Sequence, residues 1–125
     1  MGKGKRPGLV VAEDDAVLAK VLKMRLELEG FDVRLAGDGA EALDMIRAEP
    51  PDLVVCDLMM PEVDGYEVTR QLKSDAELKR IPLLILTALK EARERDRLTG
   101  LGADGFASKP FESKELTAKI RELLG

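Results

Sequence analysis

The sequence predicts an α/β domain with a five-stranded parallel sheet, order 2-1-3-4-5, doubly wound with five helices. Three observations predict it. Short apolar runs alternate with stretches of helical periodicity along the whole chain. The run Leu53-Val54-Val55-Cys56 passes straight into Asp57 and a turn, as a strand buried on both faces of a parallel sheet does. Gly and Pro punctuate the ends of the helical stretches. Right-handed crossovers with helices on both faces leave few strand orders, and 2-1-3-4-5 is a common one.

Taken in order, residues 9–12 form the first strand, closed by Glu13-Asp14-Asp15. Residues 16–29 form a helix whose apolar positions Val17, Val21, Met24 and Leu28 are spaced four, three and four apart and are expected to face the core. Gly30 ends it. Residues 32–36 alternate, with Val33 and Leu35 on one side, as an edge strand does. The second helix, residues 40–48, points Ala42, Leu43 and Ile46 inward and stops before Pro50-Pro51. Residues 52–57 are the third strand and residues 64–74 the third helix. Ile81-Pro82 opens the strand Leu83–Thr87, with the proline tolerated at its start. The fourth helix, residues 90–101, carries many charges and little apolar surface, so weak docking is expected; Gly102 closes it. Residues 104–108 are the fifth strand, and residues 112–124 the last helix.

A length of 125 residues suits one domain with its own core. Residues 1–8 read as a basic flexible tail and residues 9–125 as the folded domain. Net charge is −4; without Lys3, Lys5 and Arg6 the body holds 17 basic against 24 acidic groups. An acidic body argues against direct nucleic-acid binding. Histidine is absent, which removes Ser/His/Asp and Cys/His catalysis and imidazole metal sites. Cys56 is the single cysteine and lies within an apolar run, so a packed, inert thiol in a reducing compartment is expected. No apolar run is long enough to span a membrane, and the N-terminus lacks signal-peptide and myristoylation patterns. A cytoplasmic location is expected.

The residues that close the strands are Glu13-Asp14-Asp15, Asp57, Thr87 and Lys109. In open parallel sheets, ligands sit just beyond these carboxyl ends. Crowded carboxylates repel and call for a cation; oxygen ligands without histidine or thiolate suit Mg²⁺. An ammonium and a hydroxyl opposite could bind the oxygens of a transferred phosphoryl group, and a carboxylate can be the nucleophile that accepts it. Taken singly, each residue has a plainer explanation: Asp14 or Asp15 as a helix cap, Asp57 in an Asx turn, Thr87 as a cap, Lys109-Pro110 as a tight turn.

Taken together they resemble the receiver domain of response regulators, of the chemotaxis-regulator kind, from Leu9 to Leu124. The resemblance rests on Val11-Ala12-Glu13-Asp14, on Val55-Cys56-Asp57-Leu58-Met59-Met60-Pro61 with Asp64-Gly65, on Leu86-Thr87-Ala88, and on the run from Gly102 to Phe111. It implies a flavodoxin-like fold and two-component signalling. Asp57 would take a phosphoryl group from a phosphohistidine on a histidine kinase or a histidine phosphotransfer protein. Asp14 would bind Mg²⁺ directly, Glu13 through water, and the Met59 carbonyl would be a further ligand. The spacing to Gly30 favours Glu13-Asp14 as the acidic pair, and a shift by one residue stays open. Lys109 would pair with the phosphoryl group ahead of a cis peptide to Pro110. Thr87 and Phe106 would form the switch, with Phe106 turning inward beside Ala88.

The resemblance further implies an output surface on the fourth helix, fifth strand and fifth helix, and a domain that catalyses its own phosphorylation and dephosphorylation without a diffusible substrate. Met59 and Leu89 are apolar at positions that influence loss of the phosphoryl group in the family, so a long-lived phosphorylated state is expected. Arg97 and Glu115 resemble part of the dimer face of receivers joined to winged-helix domains. Gly105 stands where those have a second Asp, so a monomer or weak dimer is expected. The chain reads as a stand-alone or excised receiver with an unspecified downstream effector. The alternative is a receiver fold that binds partners without phosphorylation. A haloacid-dehalogenase-like phosphatase would need an Asp where Met59 stands. A nucleotide-binding domain would need a glycine-rich loop where the acidic run stands.

Overall fold

The computed structural model describes residues 6–88 and 92–125. In chain order it contains β1 (Gly8–Ala12), α1 (Ala16–Leu28), β2 (Asp32–Ala36), α2 (Gly39–Ala48), β3 (Leu53–Asp57), α3 (Gly65–Ser74), β4 (Leu83–Thr87), α4 (Ala92–Leu101), β5 (Gly105–Ser108) and α5 (Ser113–Leu124). The strands pair in parallel in the order β2-β1-β3-β4-β5. The register sets Ala12 beside Cys56, Asp57 beside Leu86 and Thr87 beside Ser108, so the strands end together at one edge of the sheet.

Every residue of β3 and of β4 is buried, which is why neither run alternates in polarity. Val10, Ala12, Val54, Cys56, Leu83 and Ile85 face one core, with Ala42, Leu43 and Ile46 of α2, Val68 and Leu72 of α3, and Leu98 of α4. Leu9, Val11, Leu53, Val55, Leu84 and Leu86 face the other, against Leu22 and Leu26 of α1 and Leu116 and Ile120 of α5. Each fully buried aliphatic side chain stabilises the fold by about 1.5–3 kcal/mol.

Against the sequence-based boundaries, α3 and α5 begin one residue later and α2 one residue earlier, each directly after the side chain that caps it. The Asp38 carboxylate accepts from the Glu41 N–H, Asp64 from Glu67 and Glu112 from Glu115. Gly30 and Gly102 take φ of 103° and 110°, the left-handed conformation that ends α1 and α4.

One expectation is overturned. Val17, Met24 and Leu28, expected to face the core, are exposed, Leu28 by 80 %. The buried face of α1 is Ala19, Leu22 and Leu26, rotated around the same helix. The helix carries two apolar stripes at helical spacing, and periodicity alone does not say which one meets the sheet.

The fourth helix is seen from Ala92; the expected start at Lys90, and Leu89 before it, lie outside the described residues. Among residues 93–101 only Leu98 is buried. Of the expected basic tail, Lys3 and Lys5 lie outside the described residues. Arg6 donates to the carbonyls of Glu27 and Phe31 and forms an ion pair with Asp32. Among the described residues no helix is long and apolar enough to cross a membrane.

Candidate functional site

The carboxyl ends of β1, β3, β4 and β5 converge on one cluster. Glu13 follows β1, held there by its N–H to the Ala36 carbonyl (3.0 Å), and is 2 % exposed. Asp57, the last residue of β3, is 3 % exposed, and Asp14 faces solvent. One carboxylate oxygen from each of Glu13, Asp14 and Asp57 lies within 4.8 Å of the others. Asp15 is occupied elsewhere: its Oδ1 accepts from the Val17 and Leu18 N–H groups and caps α1. Between the two frames left open by the sequence, the geometry turns Glu13 and Asp14 towards Asp57.

Lys109 supplies the counter-charge. Its Nζ lies 3.1 Å from Glu13 Oε1 and 3.1 Å from Asp57 Oδ2. The backbone that carries it is anchored by the Lys109 N–H to the Thr87 carbonyl (3.1 Å), and the Lys109-Pro110 peptide is cis, as expected. Burial alone would lower the Lys109 ammonium, but Asp57 and Glu13 outweigh it and hold its pKa above the ordinary value. Glu13 is pushed above the usual carboxylate range, chiefly by burial and further by the Asp57 charge, against the Asp15 N–H and Lys109. Three carboxylates against one ammonium leave the cluster negative. A hard cation held by oxygen atoms fits that donor set.

The loop after β3 is pinned at both ends. The Leu58 N–H donates to the Leu86 carbonyl (3.0 Å), and the Gly65 N–H donates to the Leu58 carbonyl (2.8 Å). A Cβ at Gly65 would stand 2.7 Å from Leu58 Cα, so the close approach of α3 to this loop requires glycine. Met59 lies on this loop between buried Leu58 and Met60 and is itself 68 % exposed.

Thr87 is buried at the end of β4. Phe106 is half-buried and packs against the core shared with α2, α3 and α4. Both line a groove of about 70 Å³ with Arg95, Ser108 and Lys119, whose Nζ donates to the Phe106 carbonyl (2.7 Å). Cys56 is fully buried, and burial pushes its thiol far up, as an inert packed group requires. Glu115 is exposed on α5, whereas Arg97 lies over the Tyr66 ring of its own chain. A hollow of about 990 Å³ opens at the opposite end of the sheet around Arg6, Asp32 and Asp52 and takes no part in this cluster.

Two features escaped the sequence reading. One is the exposed α1 stripe, beginning at Val17 beside the acidic run; the signal for it was the rival stripe Ala19-Leu22-Leu26. The other is Tyr66, the one tyrosine of the chain, one residue beyond the loop-closing Gly65.

This fold and this edge cluster define a receiver domain. Residues 9–121 match the family model "Response regulator receiver domain", and the chain belongs to that family, the receivers of two-component signalling. It is 45 % identical over 118 residues to "Probable transcriptional regulator ycf27" of Porphyridium aerugineum, covering 93 % of this chain and 47 % of that protein. It is 44 % identical over 116 residues to "Response regulator MprA" of Mycobacterium avium, covering 93 % of this chain and 50 % of that protein. The chain thus spans about half the length of these curated relatives. The receiver domain of the Pseudomonas aeruginosa sensor histidine kinase PA1611 superposes with a TM-score of 0.88 at 27 % identity, over 96 % of this chain and 98 % of that one. That structure holds a magnesium ion coordinated in its active-site cleft.

Proposed function

We propose that the domain is the phosphoacceptor of a two-component phosphorelay, with Asp57 taking the phosphoryl group from a phosphohistidine on a histidine kinase or phosphotransfer protein. The observation that carries this reading is Lys109 bridging Glu13 and Asp57 where Glu13, Asp14 and Asp57 converge. The magnesium-bearing cleft of the Pseudomonas receiver supports it by similarity.

Glu13, Asp14, Asp57 and the Met59 carbonyl would hold Mg²⁺, which when bound neutralises charge on the phosphoryl oxygens. An Asp57 oxygen forms the new O–P bond as the N–P bond of the donor breaks, and the imidazole nitrogen leaves with the electron pair. Lys109, already against Asp57, binds a phosphoryl oxygen. The Thr87 hydroxyl takes another, and Phe106 and the surface of α4, β5 and α5 respond to that move. These 125 residues hold no histidine, so the phosphohistidine lies outside this domain.

A donor outside this domain needs a docking face. The exposed large hydrophobics of the described residues are Val17, Met24 and Leu28 along α1, and Met59 beside Asp57. The α1 stripe begins at Val17, two residues after the acidic run, and is suited to the partner that delivers the phosphoryl group. Met59, apolar at that mouth, shields the acyl phosphate from water.

Incubation with a small phosphodonor and Mg²⁺ tests the reading. Intact mass should rise by one phosphoryl group in the wild type and stay unchanged in Asp57→Asn, and Met59→Asn should shorten the lifetime of the adduct. No uptake by the wild type would leave the phosphorylation-independent binding module as the function.

A further inference from the structure

Helix α4 is attached by little apolar surface, Leu98 being the one buried side chain among residues 93–101. Beyond Leu98, which shares a core with Val68 and Leu72 of α3, a polar contact joins α4 to α3 through Tyr66. The Tyr66 hydroxyl donates to Glu94 Oε2, and the Arg97 guanidinium carbon lies 4.1 Å from the centroid of the Tyr66 ring. Glu94 and Arg97 are three residues apart and share a helix face, so one takes the hydroxyl tip and the other the ring face. A phenol is protonated at neutral pH, and burial and the Glu94 carboxylate push Tyr66 further up.

Tyr66 also stands close, along the chain, to the acceptor loop. It is the second residue of α3, and the residue before it, Gly65, donates its N–H to the carbonyl of Leu58, the neighbour of Asp57. A short path therefore runs from the Asp57 backbone through the Leu58–Gly65 bond and Tyr66 to Glu94 and Arg97.

We propose that Tyr66 is a positioning residue that latches α4 to the acceptor loop and couples α4 to events at Asp57. The latch rests on the contacts above; the coupling rests on the phosphoacceptor reading as well. A two-state element responds to a site only through contacts that differ between its states, and coupling of this kind is reciprocal.

Amide hydrogen exchange on the whole chain tests both parts. Tyr66→Phe keeps the ring under Arg97 and removes the hydrogen bond. Exchange within Ala92–Leu101 should quicken about fivefold, as for loss of one part-exposed hydrogen bond to a carboxylate. Amides of β3 and β4 should be unchanged, which separates a released latch from general unfolding. Glu94→Gln, which leaves a neutral acceptor, should quicken exchange less, and the double variant should match Tyr66→Phe rather than add to it. Unchanged α4 exchange in Tyr66→Phe, or fully additive effects, would overturn the latch.

In a second arm, beryllofluoride and Mg²⁺ serve as the phosphoryl mimic. They should alter α4 exchange in the wild type, and the alteration should shrink by at least half in Tyr66→Phe. An equal response in both proteins overturns the coupling. Failure of beryllofluoride to bind the wild type counts against the phosphoacceptor reading and the coupling, and leaves the latch to be judged on the first arm.

Discussion

Lys109 sits 3.1 Å from a Glu13 oxygen and 3.1 Å from an Asp57 oxygen, and that symmetry governs the chemistry available at the strand ends. One ammonium cannot neutralise three carboxylates, so the cluster has a standing demand for a cation. Asp14 is the exposed member, open to an arriving hydrated ion, whereas Asp15 is committed to the α1 cap. The two neighbours should separate cleanly in thermal melts. With Mg²⁺ at tenfold its dissociation constant, the wild type should gain about 1.4 kcal/mol. Asp14→Asn should lose most of that gain. Asp15→Asn should keep it, and any fall in stability should be small without Mg²⁺, because Asn also caps well. Loss of the Mg²⁺ response in Asp15→Asn instead would move the metal site by one residue.

Helix α1 shows how an element can be read correctly and still be rotated wrongly. Residues 16–28 are helical, one residue short of the expected 16–29, but the buried stripe is Ala19-Leu22-Leu26 rather than Val17-Val21-Met24-Leu28. Both stripes satisfy helical spacing, and only the position of Asp15 at the cap, together with the sheet beneath, selects one. Leu22→Ala should therefore cost about 2–5 kcal/mol in urea unfolding, through lost burial and a cavity. Leu28→Ala should change stability by no more than about 0.5 kcal/mol. A large loss in Leu28→Ala would mean that the phase seen here is wrong. On the phosphoacceptor reading, the same Leu28 substitution and Met24→Ala should slow phosphoryl transfer from a protein donor while leaving uptake from a small donor intact.

Across the whole molecule, stability and chemistry are placed at opposite ends of the strands. Lys73 donates to the carbonyls of Lys79 (2.9 Å) and Ile81 (2.7 Å) and to Asp104 Oδ2 (2.7 Å), and Asp104 also accepts the Leu83 N–H (2.8 Å). These bonds tie α3, the turn before β4 and the entry to β5 at the amino end of the sheet. The Lys73 side chain is 11 % exposed, so water replaces little of what is lost when it is removed. Lys73→Met should destabilise by about 2–3 kcal/mol. Five-residue strands separate this tie from the Asp57 end by roughly 17 Å. Phosphoryl uptake at a temperature where the variant stays folded should accordingly be unchanged; a slowed uptake would show that the two ends are mechanically linked.

Much of this protein is determined by its sequence alone. Fully apolar runs between glycine- and proline-bounded helices allow few arrangements other than a doubly wound parallel sheet, because each run must be covered on both faces. The residues ending those runs, Glu13, Asp14, Asp57, Thr87 and Lys109, are brought to one edge by the parallel direction of the strands. Tertiary structure decided what local pattern leaves degenerate. It chose between adjacent carboxylates by using Asp15 as a cap, chose between two apolar stripes on α1 by setting one against the sheet, and seated Tyr66 on α4. Each choice depends on contacts between residues far apart in the chain, and spacing along a single element carries no record of them.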